Sequence, residues 1–168
     1  VYPDIIAVAK AMSNGWPIGA ILADTKLKGF ECQVEDAYTF GNNAVIQAAT
    51  LACIDYIIES DLCGRAKEMG AYITGRLNEL QKDYPQIGDV RGPGLHIGVE
   101  FVQDPETKEP AIDETVRIYG ESLERGVLFG LGGSVKNVLK IKPPLTITKQ
   151  EADRVLQVFE EVVETVFR

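Results

Sequence analysis

The sequence predicts an α/β segment over residues 1–84, followed by a small α+β domain over residues 85–168 with a mainly antiparallel sheet. Three observations lead to this prediction. Two short apolar runs rich in β-branched residues lie near the start, and two long stretches with helical apolar spacing follow them. Beyond residue 85, alternating runs are separated by glycine and proline, which is typical of short strands packed under helices.

The first two predicted strands place a lysine at a strand end. Residues 4–9 and 18–23 flank a Ser-Asn-Gly-Trp-Pro turn cluster, and their apolar character indicates strands of a sheet buried on both faces. Lys10 follows the first run directly, so its ammonium would be partly desolvated, which favours the free amine that can form a Schiff base. The alternative is an ordinary lysine that extends from the strand end into water.

Two helices complete the predicted α/β segment. Apolar residues recur at helical spacing from Asn43 to about Glu59, and either Asn42 or Asn43 can cap the first turn. A second helix is predicted from Asp61 onwards, and it ends before Tyr84 because a proline follows that residue.

The predicted α+β domain contains shorter elements and a long final helix. Its elements are, in order, strand 95–101, helix 113–125, strand 127–129, a glycine loop at 130–133, strand 137–141 and the final helix. Thr148 and Glu151 have the spacing of a capping box, so the final helix is predicted to begin there.

The composition is that of an ordinary globular chain. A formal net charge of −8 and a pI near 4.7 argue against nucleic acid as a partner, because phosphate backbones are bound by clustered Lys and Arg. No apolar run approaches the roughly 20 residues that span a bilayer, so no membrane segment is expected.

The cysteines and the single histidine predict neither a disulfide nor a metal site. Cys32, Cys53 and Cys63 are odd in number and lack C-x-x-C spacing, and the apolar neighbours of Cys53 indicate a buried, reduced thiol in a cytoplasmic protein. His96 falls on the polar face of the predicted strand 95–101, so a structural or surface role is favoured over catalysis.

Five motifs resemble one enzyme family in order and in approximate spacing. They are Asp4-Ile-x-x-x-Ala-Lys10, Asn14-Gly-Trp-Pro-Ile-Gly-Ala, Thr39-Phe-Gly-x-Asn, Gly88-Asp-Val-Arg-Gly-x-Gly-Leu and Lys142-Pro-Pro-Leu-Thr-Ile-Thr. Together they resemble class III aminotransferases, which are pyridoxal-phosphate enzymes of the fold type I superfamily. The resemblance covers nearly the whole chain and implies that residues 1–84 are the C-terminal part of the large domain.

The resemblance implies roles for two residues toward the cofactor. Lys10 would form the Schiff base with pyridoxal phosphate and move a proton at the substrate α-carbon. Thr39 would bind the cofactor phosphate in the site of a neighbouring subunit, which implies a homodimer with its active site at the interface. The family commonly has Gly-Gly-Asn-Pro where this chain reads Gly41-Asn42-Asn43-Ala44. From its residues alone, Thr39 could equally begin a turn.

Three further residues are candidates for substrate binding. Lys140 stands where ornithine- and 4-aminobutyrate-type members place an arginine that holds a substrate carboxylate in two parallel hydrogen bonds. Lysine cannot make that planar contact, although it supplies a point charge. Arg91 is either a second anion contact or half of a structural salt bridge. Trp16 either walls the substrate pocket or simply packs.

The resemblance also implies an activity for the longer protein and none for this chain alone. The family's phosphate-binding loop, its ring-stacking aromatic residue and the aspartate that pairs with the pyridine nitrogen are expected upstream of Val1, so this chain alone is predicted to give no turnover. The leading prediction is the C-terminal portion of an aminotransferase that transfers an amino group from an amine or amino acid to a 2-oxo acid. The alternatives are a racemase or epimerase, a phospholyase, and a non-catalytic fragment or dimerisation module.

Overall fold

The computed structural model describes residues 2–27, 41 and 43–168. The chain divides into two compact units, Val1–Asp61 and Leu62–Arg168, called here the first and the second unit. The first unit contains strand β1 (Ile5–Ala9), strand β2 (Gly19–Ala23) and helix α1 (Ala44–Glu59). The second unit contains α2 (Leu62–Asp83), β3 (Ile87–Arg91), β4 (Ile97–Phe101), α3 (Ile112–Glu124), β5 (Gly130–Gly132), β6 (Val138–Ile141) and α4 (Lys149–Phe167).

Strands β1 and β2 of the first unit pair with each other in antiparallel register, from Ile5 opposite Ala23 to Ala9 opposite Gly19. The prediction that both of their faces are buried is wrong for this chain, since nearly every residue of the pair is exposed. No further strand pairs with them among the described residues, so nothing there covers their apolar side chains. The large exposed ones are Ile5, Ile6, Ile21 and Leu22.

Helix α1 begins at a side-chain cap. The Asn43 Oδ1 atom accepts hydrogen bonds from the backbone N–H groups of Val45 at 3.0 Å and Ile46 at 3.2 Å. The sequence allowed either Asn42 or Asn43 in this role, and the structure shows that Asn43 fills it.

The four strands of the second unit form one antiparallel sheet in the order β3-β4-β6-β5. Alternate residues of β4, from Ile97 to Phe101, are buried because α3 packs on that face and Phe159 of α4 lies against Phe101. Helix α2 packs on β3 and on α4. The core therefore lies between the sheet and its helices, around Phe101 and Phe159.

Two strands differ from the sequence prediction. Strand β3 was not predicted, because Ile87–Arg91 carries too few apolar residues to stand out. The predicted strand 127–129 is wrong, and the predicted glycine loop contains strand β5, with Leu131 opposite Leu139. Glycine is uncommon inside strands. At Gly132 the side chain of Lys140 lies close by, since an added Cβ would be only 2.8 Å from its Cε atom.

The predicted domain boundary also differs from the division between the two units. Helix α2 lies in the second unit, because its buried side chains pack on the sheet and helices that follow it. Residues 1–84 as large-domain sequence and 85–168 as a small domain stay a prediction about a longer protein.

Helix α4 begins at the predicted capping box. The Thr148 hydroxyl oxygen accepts from the Glu151 N–H at 3.2 Å, and the Glu151 carboxylate accepts from the Thr148 N–H at 2.8 Å. The hydrogen bonds from Thr148 lower the pKa of the Glu151 carboxyl below its usual value. Both ends of the box thus satisfy backbone donors that the helix itself leaves unpaired.

A close backbone approach in α2 gives the first prediction. At Gly70, an added Cβ would lie 2.2 Å from the carbonyl oxygen of Gly94, whereas at Gly75 it would meet nothing within 4 Å. Gly70→Ala is expected to lower the free energy of unfolding by about 3 kcal/mol through overpacking. Gly75→Ala is the matched control and should raise it by up to about 1 kcal/mol through helix propensity. Urea unfolding followed by circular dichroism measures both, and equal effects would contradict the close contact.

Candidate functional site

Lys10 lies immediately after β1 and begins a short 3-10 turn, Lys10–Ser13. Its backbone φ is 56°, in the left-handed region that non-glycine residues seldom adopt. Such a conformation costs on the order of 1 kcal/mol and is enriched at functional sites, although Lys108 and Lys136 adopt it in this chain as well. The predicted position at a strand end is confirmed.

The Lys10 side chain is exposed within this chain. The apolar run before it does not desolvate the amine as the sequence suggested, because β1 is itself exposed. Its ammonium makes no ion pair with any residue that the structure describes, whereas Lys26 in the same unit pairs with Asp4 and Asp24. The exposed side chain of Lys10 is therefore sterically accessible to an aldehyde, but no described residue activates its amine.

The loop after Lys10 is closed by a buried serine. The Ser13 hydroxyl lies 2.5 Å from the carbonyl oxygen of Trp16 and 3.4 Å from that of Lys10, and Ser13 is fully buried. Trp16 remains half exposed at the end of this loop. No motif or spacing in the sequence pointed to Ser13, although it is the first hydroxyl residue after the lysine.

Thr39, the predicted phosphate contact, lies outside the described residues. Helix α1 follows it closely in sequence and begins at the Asn43 cap. Its role toward a phosphate group stays a prediction.

Arg91 and Lys140 share the sheet face opposite the core. Arg91 lies across from Gly98 in β4, and Gly98 lies across from Lys140 in β6. The Arg91 Nη1 atom is 2.5 Å from Asp89 and 2.6 Å from Glu100. Hydrogen bonds to these two carboxylates raise the pKa of Arg91 above its usual value. This geometry favours the structural salt bridge over the anion contact for Arg91.

Lys140 is half-buried, and its alkyl chain lies over glycines of β5. A Cβ at Gly130 would lie 3.2 Å from Lys140 Cε, and one at Gly132 would lie 3.1 Å from Nζ. Within the described ranges the Lys140 ammonium forms no salt bridge. It therefore remains available as a point charge for an anion.

His96 lies in the turn before β4 and is exposed, so it is outside the strand in which the sequence placed it. Cys53 is half-buried in α1, and Cys63 is exposed in α2. Both thiols are free.

The structure thus groups the predicted site residues in two places. Lys10 and Trp16 belong to one loop of the first unit, and Arg91 and Lys140 lie on one sheet face of the second unit. Within the described part, no helix combines the length and the apolar character needed to cross a membrane.

Comparison with known proteins decides the family. The sequence profile of the family described as aminotransferase class-III matches residues 1–163. The chain belongs to the class-III aminotransferase family. It is 39% identical over 160 residues to alanine–glyoxylate aminotransferase 2 homolog 2, mitochondrial, of Arabidopsis thaliana, which covers 95% of this chain and 34% of the relative. It is 42% identical over 164 residues to a leucine/methionine racemase of Thermococcus litoralis, covering 97% and 36%.

A solved structure agrees with this assignment. A phospholyase from Arthrobacter in complex with phosphoethanolamine superposes with a TM-score of 0.91 at 34% identity, covering 98% of this chain and 39% of that one. The neighbours of this class-III aminotransferase chain are fold type I enzymes. The chain spans about a third of the length of the curated relatives that it matches.

Class-III aminotransferases depend on pyridoxal phosphate. The residues present fit that cofactor in the chemistry of one side chain, since Lys10 offers an exposed primary amine directly after β1. A primary amine is the side-chain group that condenses with an aldehyde. Lys10 is therefore both the residue of the family's lysine motif and a residue with the chemistry that the cofactor requires.

Proposed function

We propose that this chain is the C-terminal portion of a pyridoxal-phosphate-dependent aminotransferase that transfers an amino group from an amine or amino acid to a 2-oxo acid. The observation that carries the proposal is the exposed amine of Lys10 at the end of β1, within a chain that matches the class-III profile over residues 1–163. The rest of the longer protein would supply the remaining cofactor contacts.

Lys10 does the covalent work in this proposal. Its amine would condense with the cofactor aldehyde with loss of water, would be released when the substrate amine takes its place, and would then move a proton at the substrate α-carbon as a general base. Pyridoxal phosphate, when bound, supplies the electron sink that stabilises negative charge at that carbon. The left-handed backbone of Lys10 sets the direction of its Cα–Cβ bond relative to the strand.

A homodimer in the cytoplasm, with Thr39 binding the cofactor phosphate across the interface, belongs to the same proposal. Exposed apolar side chains on the first unit support an assembly in which this unit is covered by the rest of the protein and by a second subunit. Helix α1 alone exposes Val45, Leu51, Tyr56 and Ile58.

Lys140 is the favoured contact for a substrate anion, and Trp16 is proposed to wall the pocket. Arg91 is less suited because Asp89 and Glu100 already engage its guanidinium. The Lys140 ammonium has no such partner among the residues described, and its stem is held over the glycines of β5. A substrate carboxylate or phosphate would supply the missing counter-charge.

Racemisation and phosphate elimination are the second candidates. The 42% identity to a leucine/methionine racemase and the 0.91 TM-score to a phospholyase favour keeping them beside amino transfer. Each reaction can use the same lysine, and they differ in where the proton returns or which group leaves. A non-catalytic role as a dimerisation module remains the alternative from another class.

One experiment separates these functions. The longer protein, loaded with pyridoxal phosphate, is mixed with single amine donors in the absence of acceptor. Amino transfer predicts stoichiometric conversion of the cofactor to pyridoxamine phosphate together with a new carbonyl compound. Racemisation predicts inversion of an amino acid without cofactor conversion, and elimination predicts inorganic phosphate from phosphoethanolamine. If none of these products forms with any donor, the proposed function is wrong.

A further inference from the structure

We propose that Ser13 is a positioning residue for Lys10 and Trp16, in that its buried hydroxyl closes the loop from residue 10 to residue 16 and holds the Lys10 backbone in its left-handed conformation. The inference rests on the proposed function for Lys10. Ser13 itself touches no reacting atom in this account.

The hydrogen bonds of Ser13 join the two ends of the loop. Its hydroxyl donates to the Trp16 carbonyl oxygen at 2.5 Å, and the Lys10 carbonyl oxygen lies 3.4 Å from the same Oγ atom. The backbone adds weaker closures, from the Asn14 N–H to the Ala11 carbonyl at 3.2 Å and from the Trp16 N–H to the Ser13 carbonyl at 3.4 Å. The serine hydroxyl therefore makes the shortest hydrogen bond of this loop.

The loop needs such a closure because its backbone is strained at Lys10, which has a φ of 56° although it is not glycine. Asn14 also has a positive φ, 50°, but it caps the C-terminus of the turn in a left-handed conformation that asparagine adopts readily. Conformations of this kind persist only where surrounding contacts over-determine them. The turn Lys10–Ser13 packs against α1, and Ser13 is fully buried in an otherwise largely exposed unit.

Because the Ser13 hydroxyl is buried, its hydrogen bond matters for the stability of the loop. A hydroxyl removed from water costs free energy unless it is hydrogen-bonded, and the Trp16 carbonyl oxygen at 2.5 Å accepts the single hydroxyl proton of Ser13. These contacts hold the backbone of Lys10 at the end of β1 and keep the backbone of Trp16 close to it. The amine of Lys10 reacts with an aldehyde only when it approaches in the correct geometry, so a fixed backbone position for Lys10 favours the reaction.

The first test needs no cofactor. Ser13→Ala removes the hydroxyl without adding volume, and Thr50→Val is the matched control, because Thr50 is also buried and its hydroxyl bonds only within α1, to Ile46 at 2.7 Å. Trypsin cleavage after Lys10 in the 168-residue chain is expected to be about five-fold faster in Ser13→Ala, the effect of one lost hydrogen bond. Thr50→Val should match the wild-type rate. Equal rates in all three proteins would overturn the inference.

The second test uses the longer protein with pyridoxal phosphate. The rate of borohydride trapping at Lys10 is measured against cofactor concentration. Ser13→Ala should lower the saturated rate by about five-fold and leave the half-saturating concentration within two-fold of the wild type, since the proposed phosphate contact is Thr39 and not a residue of this loop. A general loss of structure would lower the saturated rate and raise the half-saturating concentration. Thr50→Val should change neither.

The outcomes separate the inference from the proposed function. If the wild type is trapped at Lys10 and Ser13→Ala is trapped at the same saturated rate, the positioning role is wrong and the function stands. If Ser13→Ala shifts only the half-saturating concentration, the positioning role is likewise wrong. If the wild type is not trapped at Lys10 at all, the proposed function falls, and with it the role of Ser13 toward that lysine.

Discussion

Replacing Lys10 by alanine in the longer protein is expected to lower the rate of amino transfer by about three orders of magnitude or more. The variant loses the amine that binds the cofactor aldehyde and the base that moves the substrate proton. Both functions reside in one side chain, so a neighbouring group that replaced one of them would not restore the other. Steady-state assay with the best amine donor measures the loss.

Lys26→Ala provides the matched control for this variant. Lys26 lies in the same unit, just beyond β2, and its ammonium is paired with Asp4 and Asp24. Surface ion pairs of this kind contribute little, so the rate should stay within about two-fold of the wild type. An active Lys10→Ala enzyme, or an equal loss in Lys26→Ala, would contradict the assignment of Lys10.

Phe159→Ala is expected to lower the free energy of unfolding by about 4 kcal/mol, which is a large part of the stability of a domain of this size. Phe159 lies in α4 with no exposed surface. Its ring centroid is 6.1 Å from that of Phe101 on β4 and 5.9 Å from that of Phe129, the latter edge-on. Truncation leaves a cavity where the helix meets the sheet, and the surrounding strands cannot close it.

The control for this prediction is Leu128→Ala, because Leu128 is a neighbour of Phe129 in sequence and is 70% exposed. It should change the free energy of unfolding by less than about 0.5 kcal/mol. Urea unfolding of the wild type and both variants measures the difference. Similar midpoints for Phe159→Ala and Leu128→Ala would show that the core does not lie where the structure places it.

The helices could be predicted because their signals are local. The capping box of Thr148 and Glu151 begins α4, and the Asn43 cap begins α1 as one of the two choices that the sequence offered. Their ends follow apolar periodicity, which needs no knowledge of the rest of the chain.

Two strands could not be predicted because their reasons are non-local. The glycines of β5 do not predict a strand, and they lie beside the stem of Lys140 only because β5 pairs with β6. Strand β3 is defined by its pairing with β4, including an irregularity between Ile87 and Asp89, rather than by its own apolar pattern.

The candidate site divides in the same way. The apolar run and the turn cluster were enough to place Lys10 at a strand end. Its left-handed backbone, the closure by Ser13 and the pairing of Arg91 with Glu100 depend on angles and contacts that no spacing rule contains. The missing desolvation of Lys10 follows from the exposed β1, which the apolar pattern alone assigned to a buried sheet.

The most direct test of the central claim is to identify the lysine that carries the cofactor. The longer protein is incubated with pyridoxal phosphate, reduced with borohydride, digested and mapped by peptide mass spectrometry, with Lys10→Ala treated in parallel. We expect one stoichiometric label on Lys10 and none in the variant. A label on another lysine, or labels spread over surface lysines in both proteins, would contradict the account.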